Sequence, residues 1–256
     1  MRATRRWPKR RCYSSLVPND YFDFKQFRIE QSACAMKVST DACLLGAAIN
    51  LAEAIRLLDI GTGTGLLALM AAQRHLRVEI EAVELDTAAA AQATANVAAS
   101  PWAARIHVYS TSLAQFAATQ PAPFSHMVCN PPFFRQSMPS VNAERRTARH
   151  VSSNSLSFEE LADFAASFLV PTGSLTVLLP PPEMARFEQA AQAVGLSVGA
   201  RLSVRHRPGA LVTRHITRFE RSPTALAEKE LLIHDGTDSA YSTEFRALLA
   251  GFYLAL

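Results

Sequence analysis

The chain runs to 256 residues, of which 49% are hydrophobic, 8% aromatic and 19% charged, with a formal net charge of +4. That composition excludes a disordered or fibrous protein, the length suffices for one core without staples or metals, and no apolar run reaches the roughly 18 residues of a membrane-spanning helix. Arg2, Arg5, Arg6, Lys9, Arg10 and Arg11 carry six of the positive charges with no acid among them, so the remainder sits at −2 and is not a basic body.

Residues 1–20 therefore read as a basic, disordered tail, compatible with a transit peptide, a nucleic-acid-binding arm or codons upstream of the true start. One domain is expected over 21–256. Tyr21 to Ile29, aromatic with Lys25 and Arg28 interleaved, predicts a short strand, and a helix starts at Ser39 or Thr40. Ile55 to Ile60 is an apolar strand that runs into Gly61, Gly63 and Gly65 and then an apolar helix from Leu66 to Ala72. Val78 to Leu85 is the next strand, and Asp86 caps an Ala-rich helix to Ser100. Arg105 to Tyr109 and Ser125 to Cys129 are further strands around a short helix, Leu113 to Ala118, and the second leads into Asn130-Pro131-Pro132-Phe133-Phe134.

Arg135 to Asn154 shows no periodicity, and about 20 polar residues inside a compact domain suggest a functional loop. A helix over Ser157 to Leu169, a strand over Ser174 to Leu179, a break at Pro180 to Pro182 and a helix over Glu183 to Val194 follow. Ser197 to Val204, Ala210 to Phe219 and Leu231 to His234 are strand candidates, with a closing helix over Thr243 to Leu256. The alternation predicts an α/β fold, a mostly parallel sheet covered on both faces, with ligands bound beyond the carboxyl ends of the strands. Cys12, Cys34, Cys43 and Cys129 form neither a C-x-x-C pair nor a zinc spacing, which points to reduced thiols, no metal and a cytoplasmic location. A monomer is the default expectation.

Two motifs carry the chemistry. The first is Asp59-Ile60-Gly61-Thr62-Gly63-Thr64-Gly65, with Glu84 at the end of the next strand about 20 residues on. The glycines permit a sharp turn and let a ligand approach the backbone, while Glu84 can accept bonds from two ribose hydroxyls. Leu66 stands where a dinucleotide fingerprint needs glycine or alanine, and G-x-G-x-G after a strand-terminal Asp is the pattern of S-adenosylmethionine sites. The plainer reading is a turn that serves only packing.

The second motif, Asn130-Pro131-Pro132-Phe133, follows an apolar strand. Two prolines remove two donors and stiffen the chain, leaving the Pro131 carbonyl as an oriented acceptor beside the Asn130 side-chain carbonyl, with Phe133 as a flat face. Such a site suits a planar NH2 that needs two acceptors and a stacking surface. Standing alone, it would more simply be a turn after a strand.

Together, in this order and about 70 residues apart, the motifs resemble those of S-adenosylmethionine-dependent amino-group methyltransferases. Phe24-Lys25-Gln26-Phe27, Met36 to Asp41, Ala82-Val83-Glu84-Leu85, Asn96 with Ser100-Pro101-Trp102-Ala103, and Phe252-Tyr253-Leu254 resemble the bacterial tRNA(Val) adenine-37 N6-methyltransferase family from about Phe22 to the C-terminus. The resemblance implies a Rossmann-like fold with a seven-stranded sheet and a short N-terminal strand-helix extension. It implies that Asp59, Gly61, Gly63, Gly65 and Glu84 hold S-adenosyl-L-methionine, with Thr40 near its amino-acid end, and that Asn130 to Phe133 hold the target base. The chain departs from the family in two places. Phe133 replaces a more common Tyr, keeping the ring without the hydroxyl, and Ser112 stands where the family tends to place an Asp against the cofactor's adenine, giving a bond without charge assistance.

Two acceptors would draw the adenine N6 lone pair out of conjugation, so positioning rather than a general base is expected to carry the rate; His126, on the preceding strand, is read as structural. A base leaves its stack cheaply in a hairpin loop, which favours tRNA. Lys25, Arg28, Arg145, Arg146 and Arg149 are candidate RNA contacts, with a second arginine cluster, Arg201 to Arg221, in the C-terminal strands; either set could equally be a solvated face. Protein glutamine N5-methylation, DNA adenine methylation and a catalytically silent cofactor- and RNA-binding module remain the alternatives.

Overall fold

The computed structural model describes residues 20–131, 156–222, 225–236 and 240–256. The basic tail, Pro132, Phe133 and the segment holding Arg145, Arg146 and Arg149 lie outside the described residues.

The chain opens with a hairpin where the sequence predicts one strand: β1 (Tyr21–Asp23) and β2 (Arg28–Glu30) pair antiparallel. The reversal is local, with the Phe24 amide donating to the Phe27 carbonyl at 2.9 Å, so two rings 4.5 Å apart stack at the turn. After α1 (Thr40–Ala48), capped by the Ser39 hydroxyl, come β3 (Arg56–Ile60), α2 (Leu66–Arg74), β4 (Glu79–Glu84) and α3 (Thr87–Ala98). Then follow β5 (Ile106–Ser110), α4 (Leu113–Ala118) and β6 (Phe124–Cys129). Beyond the undescribed segment lie α5 (Phe158–Phe168), β7 (Leu169–Leu179), α6 (Pro181–Ala193), β8 (Ser197–Arg205), β9 (Val212–Glu220), β10 (Ala227–Leu232) and α7 (Thr243–Leu249).

The main sheet has eight strands in the order β10-β8-β9-β7-β6-β3-β4-β5, and only β9 runs against its neighbours. The sequence resemblance implied seven. The additional strand is β10, which pairs in parallel with the outer edge of β8 from Ala227↔Ala200 to Leu232↔Arg205. Of its six residues only Leu231 is buried, so an edge strand carrying Glu228, Lys229 and Glu230 gives little apolar signal. The two prolines Pro181 and Pro182 begin α6 rather than break the chain: at the first helical positions the missing N–H is one the helix could not bond anyway. The last helix ends at Leu249, and the chain folds back so that Tyr253 bridges Phe24 and the Phe252 carbonyl accepts from the Lys25 amide at 2.8 Å.

Alternation along the strands divides the core. Leu57 faces a cluster with Leu44, Leu69 and Phe245, while Leu58 faces one with Phe124, Phe164 and Phe187. A sheet apolar on both faces must be covered on both, which leaves the carboxyl ends of β3, β4, β5, β6, β7, β8 and β10 as one open rim.

Asn96 ties the hairpin to that rim. Buried on the inner side of α3, its Oδ1 accepts from the Glu30 amide (3.0 Å), and its Nδ2 donates to the carbonyls of Glu30 and Thr64 (2.8 Å each). Replacing it with Ala leaves the buried Thr64 carbonyl and the part-buried Glu30 backbone groups without these partners, so Asn96→Ala is expected to cost about 3 kcal/mol and to lower Tm by roughly 6–12 °C. Thermal unfolding followed by circular dichroism measures it; a Tm within a degree of wild type would show that the bonds contribute nothing net.

Candidate active site

The turn from β3 into α2 is built on three left-handed backbones, Gly61 (φ 70°), Gly63 (φ 56°) and Gly65 (φ 84°). A side chain at any of them would be strained, and a Cβ on Gly61 or Gly63 would meet no atom within 4 Å, so the turn borders open space. The turn is fastened from both sides. Val83 O accepts from the amides of Gly61 and Thr62 at 2.8 and 3.1 Å, and Glu84 Oε2 accepts from the Gly63 amide at 2.8 Å. Glu84 Oε1 accepts from the Asp86 amide at 2.9 Å, which points the half-buried carboxylate across the turn.

Asp59 lies beneath the turn, fully buried. Its Oδ2 accepts from the Thr62 hydroxyl (2.6 Å) and from the Ala68 amide (3.2 Å) in the first turn of α2, while Oδ1 is buried with no hydrogen-bond partner. Burial pushes the Asp59 carboxyl up to about 7, the bonds from Thr62 and Ala68 pull it partly back, and Glu84 adds a repulsion. The same burial, with Asp59 and Glu84 nearby, drives the Cys129 thiol well above its usual range. This arrangement decides between cofactors. A dinucleotide would place its pyrophosphate at the start of α2, but Asp59 already accepts from the Ala68 amide there from beneath the turn, and Glu84 sets a carboxylate at the crevice. The residues fit a nucleoside that carries positive charge, which is the chemistry of S-adenosyl-L-methionine: ribose hydroxyls for Glu84 and a sulfonium for an acidic surround.

Asn130 and Pro131 leave β6 at the same rim. Because Cys129 pairs with Ile60, Asn130 emerges beside Gly61, about one strand spacing of 4.8 Å away. Asn130 Oδ1 is buried and accepts no hydrogen bond, and Pro131 is buried next to it. His126, four residues earlier on β6, is roughly 13 Å back along the strand. Burial, reinforced by Arg218 and His75, pushes its imidazole down to about 4, so it is neutral at physiological pH and remote from the rim.

The remaining sequence candidates have structural engagements. Thr40, the first residue of α1, is exposed, and its hydroxyl bonds the Tyr253 hydroxyl, which also bonds the Cys43 thiol. Ser112 caps α4 in a reciprocal capping box, accepting from the Gln115 amide at 3.1 Å, and its own hydroxyl proton remains available to a ligand. Lys25 Nζ donates to the Ala250 carbonyl at 2.6 Å, and Arg28 is paired with Asp23 and Glu30 while lying over the Tyr21 ring. In the C-terminal strands Arg201, Arg205, Arg214 and Arg218 pair with Glu188, Glu230, Asp41 and Glu220, and Arg221 donates to the Ala166 and Leu169 carbonyls. A cleft of about 590 Å³ beneath α4, lined by Arg56, Glu81, Tyr109 and Gln115, is separate from the glycine turn.

Sequence reasoning did not assign a site role to Asn96 or to Gln31, whose buried amide accepts from the Val38 amide at 2.8 Å and so holds the segment before α1. A polar side chain on the buried face of an otherwise Ala-rich helix was the signal for the first. Among the described residues no group of His, Cys, Asp or Glu is arranged to hold a metal, and no helix is long and apolar enough to cross a membrane.

The methyltransferase small domain family matches residues 34–180. The tRNA1(Val) (adenine(37)-N6)-methyltransferase of Dyadobacter fermentans is 38% identical over 239 residues, covering 92% of this chain and 98% of that relative. The protein of the same description from Pseudoalteromonas translucida is 40% identical over 235 residues, covering 92% and 99%. Among solved structures, a predicted O-methyltransferase of Agrobacterium tumefaciens superposes with a TM-score of 0.61 at 22% identity, over 83% of this chain and 96% of that one. A ribosomal protein L11 methylase from Lactobacillus delbrueckii gives 0.51 at 17%, over 76% and 84%. At such identities these two speak for the fold alone.

The raised Asp59 carboxyl has a consequence for stability. Its ordinary value is 3.8, so between about 4 and 7 the folded protein holds a proton there that the unfolded chain has lost, and stability falls as pH rises through that window. Asp59→Asn keeps an acceptor for Thr62 and Ala68 without the charge. It is expected to raise Tm over wild type at pH 8, with the gain shrinking toward pH 4. Melting curves across pH provide the measurement, and a gain independent of pH would contradict the buried charge as its cause.

Proposed function

The chain belongs to the tRNA1(Val) (adenine(37)-N6)-methyltransferase family, and from that membership we propose that Asn130 and Pro131 present the amine that is methylated. It is an S-adenosylmethionine-dependent methyltransferase that acts on the N6 amine of an adenine in tRNA. Adenine 37 of the valine tRNA, the position in the relatives' description, is the acceptor in this reading, which also takes the cytoplasm as the location and 21–256 as the catalytic domain.

One observation carries the assignment of roles. Asn130 Oδ1 is a buried acceptor without a donor, on the strand end adjacent to the glycine turn. An orphaned carbonyl oxygen costs stability, on the order of 1–3 kcal/mol, and is retained where a ligand will satisfy it. An adenine N6 amine supplies two N–H donors, one for Asn130 Oδ1 and one for the Pro131 carbonyl, which as part of a tertiary amide has no competing N–H on its own residue. Both bonds pull the nitrogen toward a pyramidal shape and turn its lone pair to the glycine side of the crevice. S-adenosyl-L-methionine, when bound, supplies there a methyl group on a positively charged sulfur. Asp59, Glu84 and the three glycines would hold it, with Thr40 and Ser112 at its two ends.

No side chain near Asn130 among the described residues is poised as a base: His126 is distant, and Asp59 is sealed under the turn. None is needed. Aligning nucleophile and methyl can supply effective molarities of about 10⁵ to 10⁸ M, against the roughly 10² to 10⁴ gained from one general base. The amine loses its proton after transfer, when it has become far more acidic. Pro132 and Phe133 would complete the pocket as a stiff turn and a stacking ring, and Arg145, Arg146 and Arg149 would contact phosphates.

Asn130→Ala is expected to lower kcat for tRNA methylation by about 10²- to 10³-fold, comparable to removing one positioned partner of a reacting group, while cofactor affinity stays within about threefold. Methyl transfer from radiolabelled cofactor into a valine tRNA transcript, with calorimetry for binding, tests both. Near-native turnover would remove Asn130 from the mechanism, and preference for duplex DNA or a glutamine-bearing protein as acceptor would overturn the substrate.

A further inference from the structure

We infer that the hairpin joining β8 to β9 is a stacking platform for unpaired bases of the tRNA that flank the methylated adenine. The inference rests on the tRNA reading above and adds a surface to it. β8 runs parallel to β10 and, like it, ends on the rim that carries Asn130, so residues 206–211 project from the same edge of the sheet as the pocket. Three strand spacings separate β6 from β8, roughly 14 Å, which a few nucleotides of single-stranded RNA can cross.

The hairpin presents an uncommon surface for this protein. His206 and Arg207 are exposed, Leu211 is 85% exposed, and Arg207 has no ion-pair partner among the described residues, unlike the arginines around it. Behind His206 the rings form a ladder into the core. His206 meets His234 at 4.8 Å, His234 lies against Tyr241 at 5.1 Å and 17°, and Tyr241 stacks on Phe245 at 4.5 Å and 18°. Phe245 is fully buried, so the outermost ring is anchored through the series. The backbone is braced as well, with the His234 amide donating to the His206 carbonyl at 3.0 Å and the Arg205 guanidinium to the Ala210 carbonyl.

A fixed aromatic face beside an unpaired guanidinium is the surface on which single-stranded bases stack, and pre-organisation lowers what binding must spend on ordering. The exposed Asp235 next to His234 makes a purely electrostatic patch a poor description. Stacking is the main attraction, and Arg207 adds a planar cation for a base or a phosphate.

The test uses the full chain with an unmodified valine tRNA transcript. His206→Ala is expected to raise KM for tRNA about fivefold or more, with kcat and the KM for the cofactor within about twofold, and His206→Phe to restore it. Arg207→Glu, at an exposed side chain, should raise KM for tRNA too. Arg77→Glu, the same charge change before β4 at the opposite edge of the sheet, should not. Wild-type KM for tRNA in both rim variants, or an equal effect from Arg77→Glu, would overturn the platform. If the wild-type chain leaves the transcript unmethylated, the functional reading fails and takes the platform with it.

Discussion

A carboxylate kept out of water at the end of β3 governs this molecule. Asp59 is placed where an isolated charge is unfavourable, and it persists because Thr62 and the first turn of α2 bond it. That arrangement requires the chain to double back within a few residues, which requires the left-handed backbones of Gly61, Gly63 and Gly65. The turn is in turn gripped from β4 by Val83 and Glu84, and from α3 by Asn96, whose amide also holds the Glu30 backbone. Strand β4 and helix α3, both later in the chain, thus meet the two flanking elements on one short loop. A loop held in this way undergoes little rearrangement when a ligand arrives, and its strain is distributed over the fold that surrounds it.

From that constraint follows the kind of chemistry the rim can support. A crevice with Glu84 at its edge, Asp59 buried beneath it and a helix terminus already bonded is poor for phosphates and good for a cationic nucleoside. Beside it, a stiff acceptor pair offers geometry rather than proton transfer. The strongly disfavoured Cys129 thiolate shows that the thiol nearest the crevice is kept inert. An enzyme of this design gains rate by where it holds its reactants, which accords with the Asn130 side-chain oxygen being orphaned in the free protein.

Much of this was legible in the sequence because its signals are local. The order of strands and helices, the capping residues Ser39 and Asp86, and the two motifs all depend on neighbours within a few positions. What escaped depends on partners far along the chain. Tyr21 to Ile29 reads as one strand because its alternation does not reveal the reversal at Phe24, and β10 is missed at its start because an edge strand has only one partner to satisfy. Prolines read as a break because the same residue that ends one helix can begin another. Lys25 and Arg28 look like open cations until the fold brings Ala250 and Asp23 to them.

The arginines make the same point about function. A pI near 9.0 invites the picture of a basic protein that attracts RNA broadly. Yet the tail accounts for the excess, and the arginines of the C-terminal strands spend their charge on Glu188, Glu230, Asp41 and Glu220. Half-buried pairs at the surface, still reached by solvent, add modest stability, so their effect is mainly to neutralise that face. A neutral surface suppresses binding to the many RNAs that offer only phosphate, because that attraction is the sequence-independent part of nucleic-acid affinity. Selection of one loop must then come from shape: a base that fits two fixed acceptors, and neighbours that find a ring to lie on. The C-terminal strands have given up long-range attraction, and what they offer is discrimination at contact.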